Sequence, residues 1–409
     1  MRIPVVVIGA GQAGLAMSRT LTGAAIDHVV LERAQVAHSW RTERWDSLRL
    51  LTPNWMSRLP GWRYQGADPH GFMTSAEVIT FLDAYGASFA APVRTGVDVE
   101  RVTARTGGGF DVVTKGESWV ADVVVAATGA SSEPTIPALA RDIPPTITQV
   151  TALAYRKPGQ LPNDEVLVVG ASASGTQIAE ELQHSGRPVT LAVGEHVRVP
   201  RGYRGRDIQW WLDAIGLHDE RYDEVDDIER ARNVSSLQLV GSDERRTLDL
   251  NALTGVGVRL TGKLLRVVDG RAQFSGGLGH LVANADLKQD RLLDRIDAHV
   301  AERGLCPGLP QPTRPTPTRL GTAATELPLA RFGSIVWATG YRPTFPWLDG
   351  AAFDRRGRLA HDGGVGVMPG FYVLGLPFMR RRKSSFLDGV GPDACALVDH
   401  IRMRLRAHR

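Results

Sequence analysis

Cysteine is nearly absent from this chain: Cys306 and Cys395 are the only two among 409 residues. Two thiols so far apart exclude a disulfide framework, and with no clustered ligands no metal site is expected. No C-x-x-C occurs, so the vicinal-dithiol chemistry of disulfide reduction is disfavoured. Charge of one sign is also scarce. The net charge of +4 is slight for this length and gives no footprint for nucleic acid. No run approaches the ~20 apolar residues of a membrane span. The apolar N-terminus reads as a first strand rather than a signal peptide, so a reducing cytoplasm is the expected compartment. A convincing Ser/His/Asp constellation or catalytic carboxylate pair is missing as well.

What the chain has is glycine, arranged twice in the same way. The first copy reads Val5-Val6-Val7-Ile8-Gly9-Ala10-Gly11-Gln12-Ala13-Gly14. A β-branched run precedes it and a helical pattern through Leu15, Ala16, Met17 and Leu21 follows, the context that gives a G-x-G-x-x-G string its meaning. A second strand, His28–Leu31, ends at Glu32. That acid follows Gly14 at about 20 residues, the spacing at which a carboxylate takes ribose hydroxyls. The turn puts backbone N–H groups and a helix N-terminus where a pyrophosphate can sit.

The second copy reads Val166-Leu167-Val168-Val169-Gly170-Ala171-Ser172-Ala173-Ser174-Gly175, with Ser172 in place of the middle glycine. Serine is small enough for a phosphate to approach and adds a hydroxyl donor. After the next strand, Val189–Val193, no clear ribose-binding acid appears; Glu195 lies slightly beyond. Arg198, Arg201, Arg204 and Arg206 follow. Guanidinium groups there suit a 2′-phosphate and favour NADPH, the alternative being a solvated basic loop. Two such turns imply two dinucleotides, with electrons passing between them.

The strand Val123–Gly129 ends in Ala-Thr-Gly, and a near copy returns at Ile335–Pro343. Each follows one of the glycine units, and small residues there let the chain pass close to a cofactor. From about Gln35 to Gly71 an irregular stretch holds Trp40, Trp45, Trp55, Trp62 and Tyr64 with Arg41, Arg44 and Arg49. These either stack on a flat ring and hold phosphates or pack a long loop. A helix is expected over Ser75–Tyr85, and strands around Val97–Thr103 and Phe110–Thr114. Trp210-Trp211 and the helical region Ala285–Val300 read as core or lid.

Prolines cluster in Pro134–Pro162 and Pro307–Pro328. The fold class expected is α/β, with two Rossmann-like three-layer dinucleotide-binding domains, the second inserted into the first. The boundaries expected are 1–158 with 326–409 for the first domain and 159–325 for the second. No motif covers the part from about 215 to 325.

The order of motifs resembles the flavin-containing monooxygenases. The matching pieces are Gly9–Gly14 with Glu32, Ser39-Trp40-Arg41, Val123–Gly129, Gly170–Gly175 and Val336–Pro343. The tail Gly370–Pro377 and Gly389–Ala394 matches too. The resemblance implies FAD on the first turn, NADPH on the second, dioxygen and a small molecule as substrates, and oxygen delivery through a flavin hydroperoxide. Cofactor contacts are then expected from Gly9, Gly11, Gln12, Ala13, Gly14, Glu32, Arg33, Trp40, Arg41, Thr128 and Gly129. On the second side they are expected from Gly170, Ser172, Ser174, Gly175, Arg198, Arg201, Thr339 and Gly340. His38 is the single candidate for a proton role; a structural histidine is the alternative. One departure stands out. Aligned on Tyr155, the Phe, Gly and His of the family fingerprint are Pro145, Ile147 and Thr151, which places the chain in a sister group. Arg380–Lys383 reads as a solvated loop or the wall of a substrate entrance.

Overall fold

The computed structural model describes residues 1–305 and 308–407, so Cys306 falls outside it. β1 (Arg2–Ile8) carries Val5, Val6 and Val7, all fully buried. Burial on both faces is what a central parallel strand requires. α1 (Gln12–Gly23) leads from it to β2 (His28–Glu32). β1 lies between β2 and β3 (Ser118–Ala126), parallel to both, with Ile8 opposite Leu31 and Ala126. The strand Phe371–Val373 extends the sheet beyond β3, and the helix Val390–Ala407 packs on α1. The end of the chain therefore completes the domain that its beginning starts.

The helix expected over Ser75–Tyr85 runs over Ser75–Ser88. Thr74 and Glu77 cap it reciprocally: Glu77 N–H donates to Thr74 Oγ1 at 3.3 Å, and Thr74 N–H donates to Glu77 Oε2 at 2.7 Å. The strands expected around Val97–Thr103 and Phe110–Thr114 form at Val99–Ala104 and Phe110–Thr114, and they pair antiparallel.

The second unit repeats the pattern with β4 (Glu165–Val169), α2 (Ala173–His184) and β5 (Val189–Ala192). β6 (Phe332–Trp337) returns to lie beside β4, and Thr148–Thr151 lies beside β6. With Arg259–Thr261 outside β5, these make a five-stranded, all-parallel sheet. Two Rossmann-like layers are thus present, one inserted into the other.

The insertion is wider than the proline clusters implied. Thr148–Thr151 and β6 belong to the second sheet, although the expected boundaries put both in the first domain. The two domains join where Glu133–Pro134 pairs antiparallel with Tyr341–Arg342, braced by Arg342 Nη2 donating to Glu133 Oε2 at 3.0 Å. Everything from about 135 to 340 hangs from that double strand. The proline cluster Pro134–Pro162 does not mark the boundary, because Ile143 and Ile147 within it are buried in the second domain's core. β6 is held by pairing on both sides, which outweighs the loop-like composition before it.

Between 215 and 325 the long helix Leu278–Glu302 buries Leu293, Ile296 and Val300 against Trp211 and Leu212. That region is core, as its periodicity suggested. Trp210, by contrast, stays half-exposed. Among the described residues no helix is long and apolar enough to cross a membrane.

Candidate functional site: two matched dinucleotide cradles

Both glycine turns fold the same way. Gly9 and Gly170 leave their strands at φ +103° and +109°, the left-handed region that favours glycine. A β-carbon on Gly9 would lie 2.7 Å from the Ala127 carbonyl oxygen; on Gly170 it would lie 2.3 Å from that of Ala338. Those carbonyls belong to the two Ala-Thr-Gly strands, so each repeat of that tripeptide backs one cradle. Gly14 and Gly175 let the helix approach the strand: a β-carbon there would sit 1.8 Å and 1.9 Å from the carbonyl oxygens of Gly9 and Gly170.

The middle position is the informative one. Gly11 (φ −80°, ψ −170°) and Ser172 (φ −84°, ψ −171°) hold the same backbone conformation at the N-caps of α1 and α2. A β-carbon on Gly11 would meet nothing within 4 Å. Neither helix start receives a side-chain cap, and neither has an acid in its first turn. Serine is a favoured capping residue, yet the Ser172 side chain leaves α2 uncapped. Two helix N-termini with open approaches and uncapped N–H groups fit two pyrophosphates.

Glu32 is buried at the end of β2. It accepts from Ala10 N–H at 2.8 Å and from Ala34 N–H at 3.1 Å, which braces the first turn and leaves lone pairs on both oxygens. The register shows why no matching acid was found in the second unit. Leu31 pairs with Ile8 as Ala192 pairs with Val169, so Val193 takes the place of Glu32. Glu195 is exposed beyond it.

Thr128 Oγ1 is buried without a hydrogen-bond partner, an orphan beside the first cradle. Its counterpart Thr339 Oγ1 donates to the Thr135 carbonyl. Gly129 and Gly340 both adopt positive φ, at +83° and +91°. Ala13 faces the turn at Gly375, where a β-carbon would sit 2.8 Å from the Ala13 methyl. Gln12 Nε2 donates to the Ser385 carbonyl at 2.7 Å. The C-terminal loop is thereby fastened to the start of α1. At the second cradle Ser174 Oγ lies 3.2 Å from Tyr341 OH.

The loop arginines divide. Arg33 is exposed and pairs with Glu43 at 3.2 Å. Arg41 pairs with Asp83 at 2.5 Å. His38 is half-buried at the start of the short helix His38–Thr42, its Nε2 3.4 Å from Thr42 Oγ1. Trp40 packs against the cores of both domains. Arg44 lies over its ring at 5.3 Å and makes no ion pair among the described residues. Burial pushes the Arg44 guanidinium below its ordinary value, with Tyr341 close enough to oppose the shift. Arg44 and Tyr341 were absent from the expected contacts. The signals were there: an arginine among tryptophans, and a tyrosine directly after the second Ala-Thr-Gly.

Arg198 and Arg201 are not where the 2′-phosphate reading put them. Arg198 is 2% exposed; it donates to Asp249 Oδ2 at 2.6 Å and to Asp286 Oδ1 at 2.7 Å. Arg201 is 1% exposed, donates to Asp207 Oδ2 at 2.8 Å and stacks on Phe72 at 4.2 Å. Arg204 pairs with Asp297 at 2.6 Å. Of the four arginines read as solvated or phosphate-binding, three are tied to carboxylates: Arg198 to Asp249 and Asp286, Arg201 to Asp207 and Arg204 to Asp297, while Arg206 stays exposed. The basic run is likewise tied down. Arg382 pairs with Glu220, Lys383 with Asp219 at 3.1 Å, and Arg381 with the buried Asp393 at 3.0 Å.

The two domains are clasped through α2. Glu181 accepts from Ser47 of the first domain at 2.8 Å, and Arg49 meets Asp243 at 2.7 Å. The cradles are thus held in one relation to each other.

This fold and these paired cradles define a two-dinucleotide oxidoreductase of the FAD/NAD(P)-binding class. The chain belongs to the pyridine nucleotide-disulphide oxidoreductase family, whose model matches residues 6–217. It is 30% identical, over 98% of each chain, to an uncharacterized oxidoreductase CzcO-like from Geobacillus kaustophilus (strain HTA426). In solved structures it resembles a flavin-containing monooxygenase from Stenotrophomonas maltophilia, with a TM-score of 0.69 and 21% identity over 98% of each chain. It also resembles the ornithine N-hydroxylase of Kutzneria sp. 744, solved with reduced FAD, NADP+ and L-ornithine. There the TM-score is 0.63 and the identity 17%, covering 99% of this chain and 100% of that one.

Proposed function

We propose that this protein is an FAD-dependent, NADPH-consuming monooxygenase that oxygenates a small-molecule nucleophile at nitrogen or sulfur. The observation that carries the reading is the pair of equivalent open cradles, fastened together in a chain that has no C-x-x-C. With no C-x-x-C to carry electrons to a disulfide, dioxygen is the acceptor this reading assigns. Support comes from the Kutzneria N-hydroxylase, which carries reduced FAD and NADP+ on the same fold.

FAD, when bound, supplies the hydride acceptor and the activation of dioxygen. The chain supplies position and dryness. The N–H groups at the start of α1, with Gly11 open beside them, hold the FAD pyrophosphate, and Glu32 takes the adenosine ribose. Thr128 Oγ1 has its hydrogen free to donate to the cofactor. The start of α2 and Ser172 Oγ hold the NADPH pyrophosphate. Trp40 and the indole-covered Arg44 close the seam between the domains and keep water from it. Arg44 also offers a positive charge to an anionic group spanning that seam.

The test is product labelling. FAD-loaded protein is given NADPH, isotopically labelled dioxygen and a panel of amines and sulfides. Label in an N- or S-oxide product, with NADPH consumed in step, is the expected result. NADPH consumption that only makes hydrogen peroxide, whatever is added, would reduce the protein to an oxidase.

A further inference from the structure

Two runs of like charge lie far apart in the chain. From Asp219 to Glu229 it reads Asp-Glu-Arg-Tyr-Asp-Glu-Val-Asp-Asp-Ile-Glu, seven acids in eleven residues, and Arg380-Arg381-Arg382-Lys383 is wholly basic. The fold lays one along the other. Arg382 N–H donates to the Glu220 carbonyl and Lys383 N–H to the His218 carbonyl, both at 3.2 Å, and Tyr222 N–H donates to the Arg380 carbonyl at 3.0 Å. Arg221 and Arg381 thereby form an antiparallel bridge. Side chains repeat the match: Arg382 pairs with Glu220, and Lys383 Nζ lies 3.1 Å from Asp219 Oδ1. Tyr222 OH donates to Asp362 Oδ1 at 2.6 Å, and Arg232 Nε to the Phe378 carbonyl at 3.3 Å.

The acidic run is an excursion from the second domain. It leaves after the helix Ile208–Ala214 and returns where Leu237–Gln238 pairs with Val197–Arg198. Every residue from Asp219 to Ser236 keeps part of its surface exposed, so hydrogen bonds and ion pairs to the first domain hold the segment in place of a core. A segment held that way opens at a free energy well below global unfolding, and salt weakens its half-exposed pairs. What it holds is the loop from Phe378 to Asp388. That loop reaches the first cradle, where the Ser385 carbonyl accepts from Gln12, the first residue of α1. On its own domain the loop is also tied by Arg58 to Asp388 at 2.6 Å. The acidic segment adds three backbone bonds and two ion pairs from the other domain.

We infer that residues 218–232 are an electrostatic strap that retains FAD. The loop must lift from the start of α1 before the cofactor leaves the first cradle, and the strap must let go of the loop first. Retention of the cofactor of one domain is thus set by charges on the other, and it weakens with ionic strength. The inference rests on FAD occupying the first cradle; it is independent of oxygenation, because release is read without turnover.

The test is the rate of FAD release from loaded protein after dilution, followed by flavin fluorescence. Raising NaCl from about 0.05 M to about 0.5 M should speed release from the parent about tenfold. Asp219→Asn with Glu220→Gln should release about tenfold faster than the parent at low salt and respond little to added salt. The flavin-stripped variant should melt with the parent, as half-exposed pairs allow. Glu220→Arg should also release fast, and adding Arg382→Glu should bring the rate back toward the parent's. Release from the parent that ignores salt, or a neutralised variant that releases like the parent or keeps its salt dependence, would overturn the strap. So would an exchanged pair no slower than Glu220→Arg alone. A parent that takes up no flavin would overturn the reading of the first cradle, and the strap with it.

Discussion

Two glycines three residues apart in the first turn should fail in opposite ways. At Gly14 a β-carbon would lie 1.8 Å from the Gly9 carbonyl oxygen, a backbone atom that cannot swing aside. Gly14→Ala therefore forces α1 off β1. Overpacking against backbone costs ~1–3 kcal/mol or more, which in a domain of this size lowers Tm by roughly 5–10 °C. At Gly11 a β-carbon would meet nothing within 4 Å, and φ −80° with ψ −170° is a conformation valine adopts. Gly11→Val should leave apoprotein stability within ~0.5 kcal/mol of the parent. Its side chain would stand where the pyrophosphate must come, so flavin should be lost. The assay is a pair of readings on each purified variant: thermal melting of the flavin-stripped protein, and the visible flavin spectrum after reloading with FAD. The expected outcome is a stable, colourless Gly11→Val and an unstable Gly14→Ala. A yellow Gly11→Val, or a Gly14→Ala that melts with the parent, would refute the assignment of the cradle.

The remaining predictions concern other parts of the chain. Gly375→Val adds a side chain 2.8 Å from the Ala13 methyl at φ +87°; the strain, about 1–3 kcal/mol, should loosen the C-terminal loop and weaken FAD retention, read as flavin release on dilution. Arg198→Gln removes a cation buried between Asp249 and Asp286; it should destabilise by about 3–5 kcal/mol in thermal melts while leaving the NADPH/NADH ratio of kcat/KM unchanged. A fall in that ratio with a normal Tm would restore the 2′-phosphate reading. His361 is held neutral in the fold, down at about 4, chiefly by burial and then by the Arg232 charge, with Gly364 N–H donating to its Nδ1 at 3.3 Å. The unfolded chain takes up that proton near 6.5 and the folded one only near 4. Stability should therefore fall as pH drops through that window and level off below it; His361→Gln should remove that share of the slope in urea titrations.

The site was legible in the sequence where backbone geometry alone makes it. Gly14 and Gly175 are required where a helix crosses the carbonyl of its own turn's first glycine, and Gly9 and Gly170 by the positive φ of that turn; such local demands leave a fixed spacing. The Ala-Thr-Gly repeats were visible as repeats, though that the alanine carbonyl of each backs the first glycine of its own cradle was not. The approach of Arg44 to Tyr341 and the Gln12 tie to Ser385 join residues far apart in the chain, and no spacing reports them.

By itself, then, the sequence determined that two nucleotide cradles exist, which helix and strand make each, and that no C-x-x-C accompanies them. Tertiary structure alone decided where the second domain begins and ends, because strand pairing of Thr148–Thr151 and Phe332–Trp337 outweighs the prolines around them. It also decided the fate of the arginines. A guanidinium looks the same in a sequence whether it waits for a phosphate or is already spent. Asp249 and Asp286 spend Arg198, and Asp207 with the Leu51 carbonyl spends Arg201. Charge is settled by which carboxylates the fold brings within about 3 Å, and that is a property of packing rather than of order along the chain.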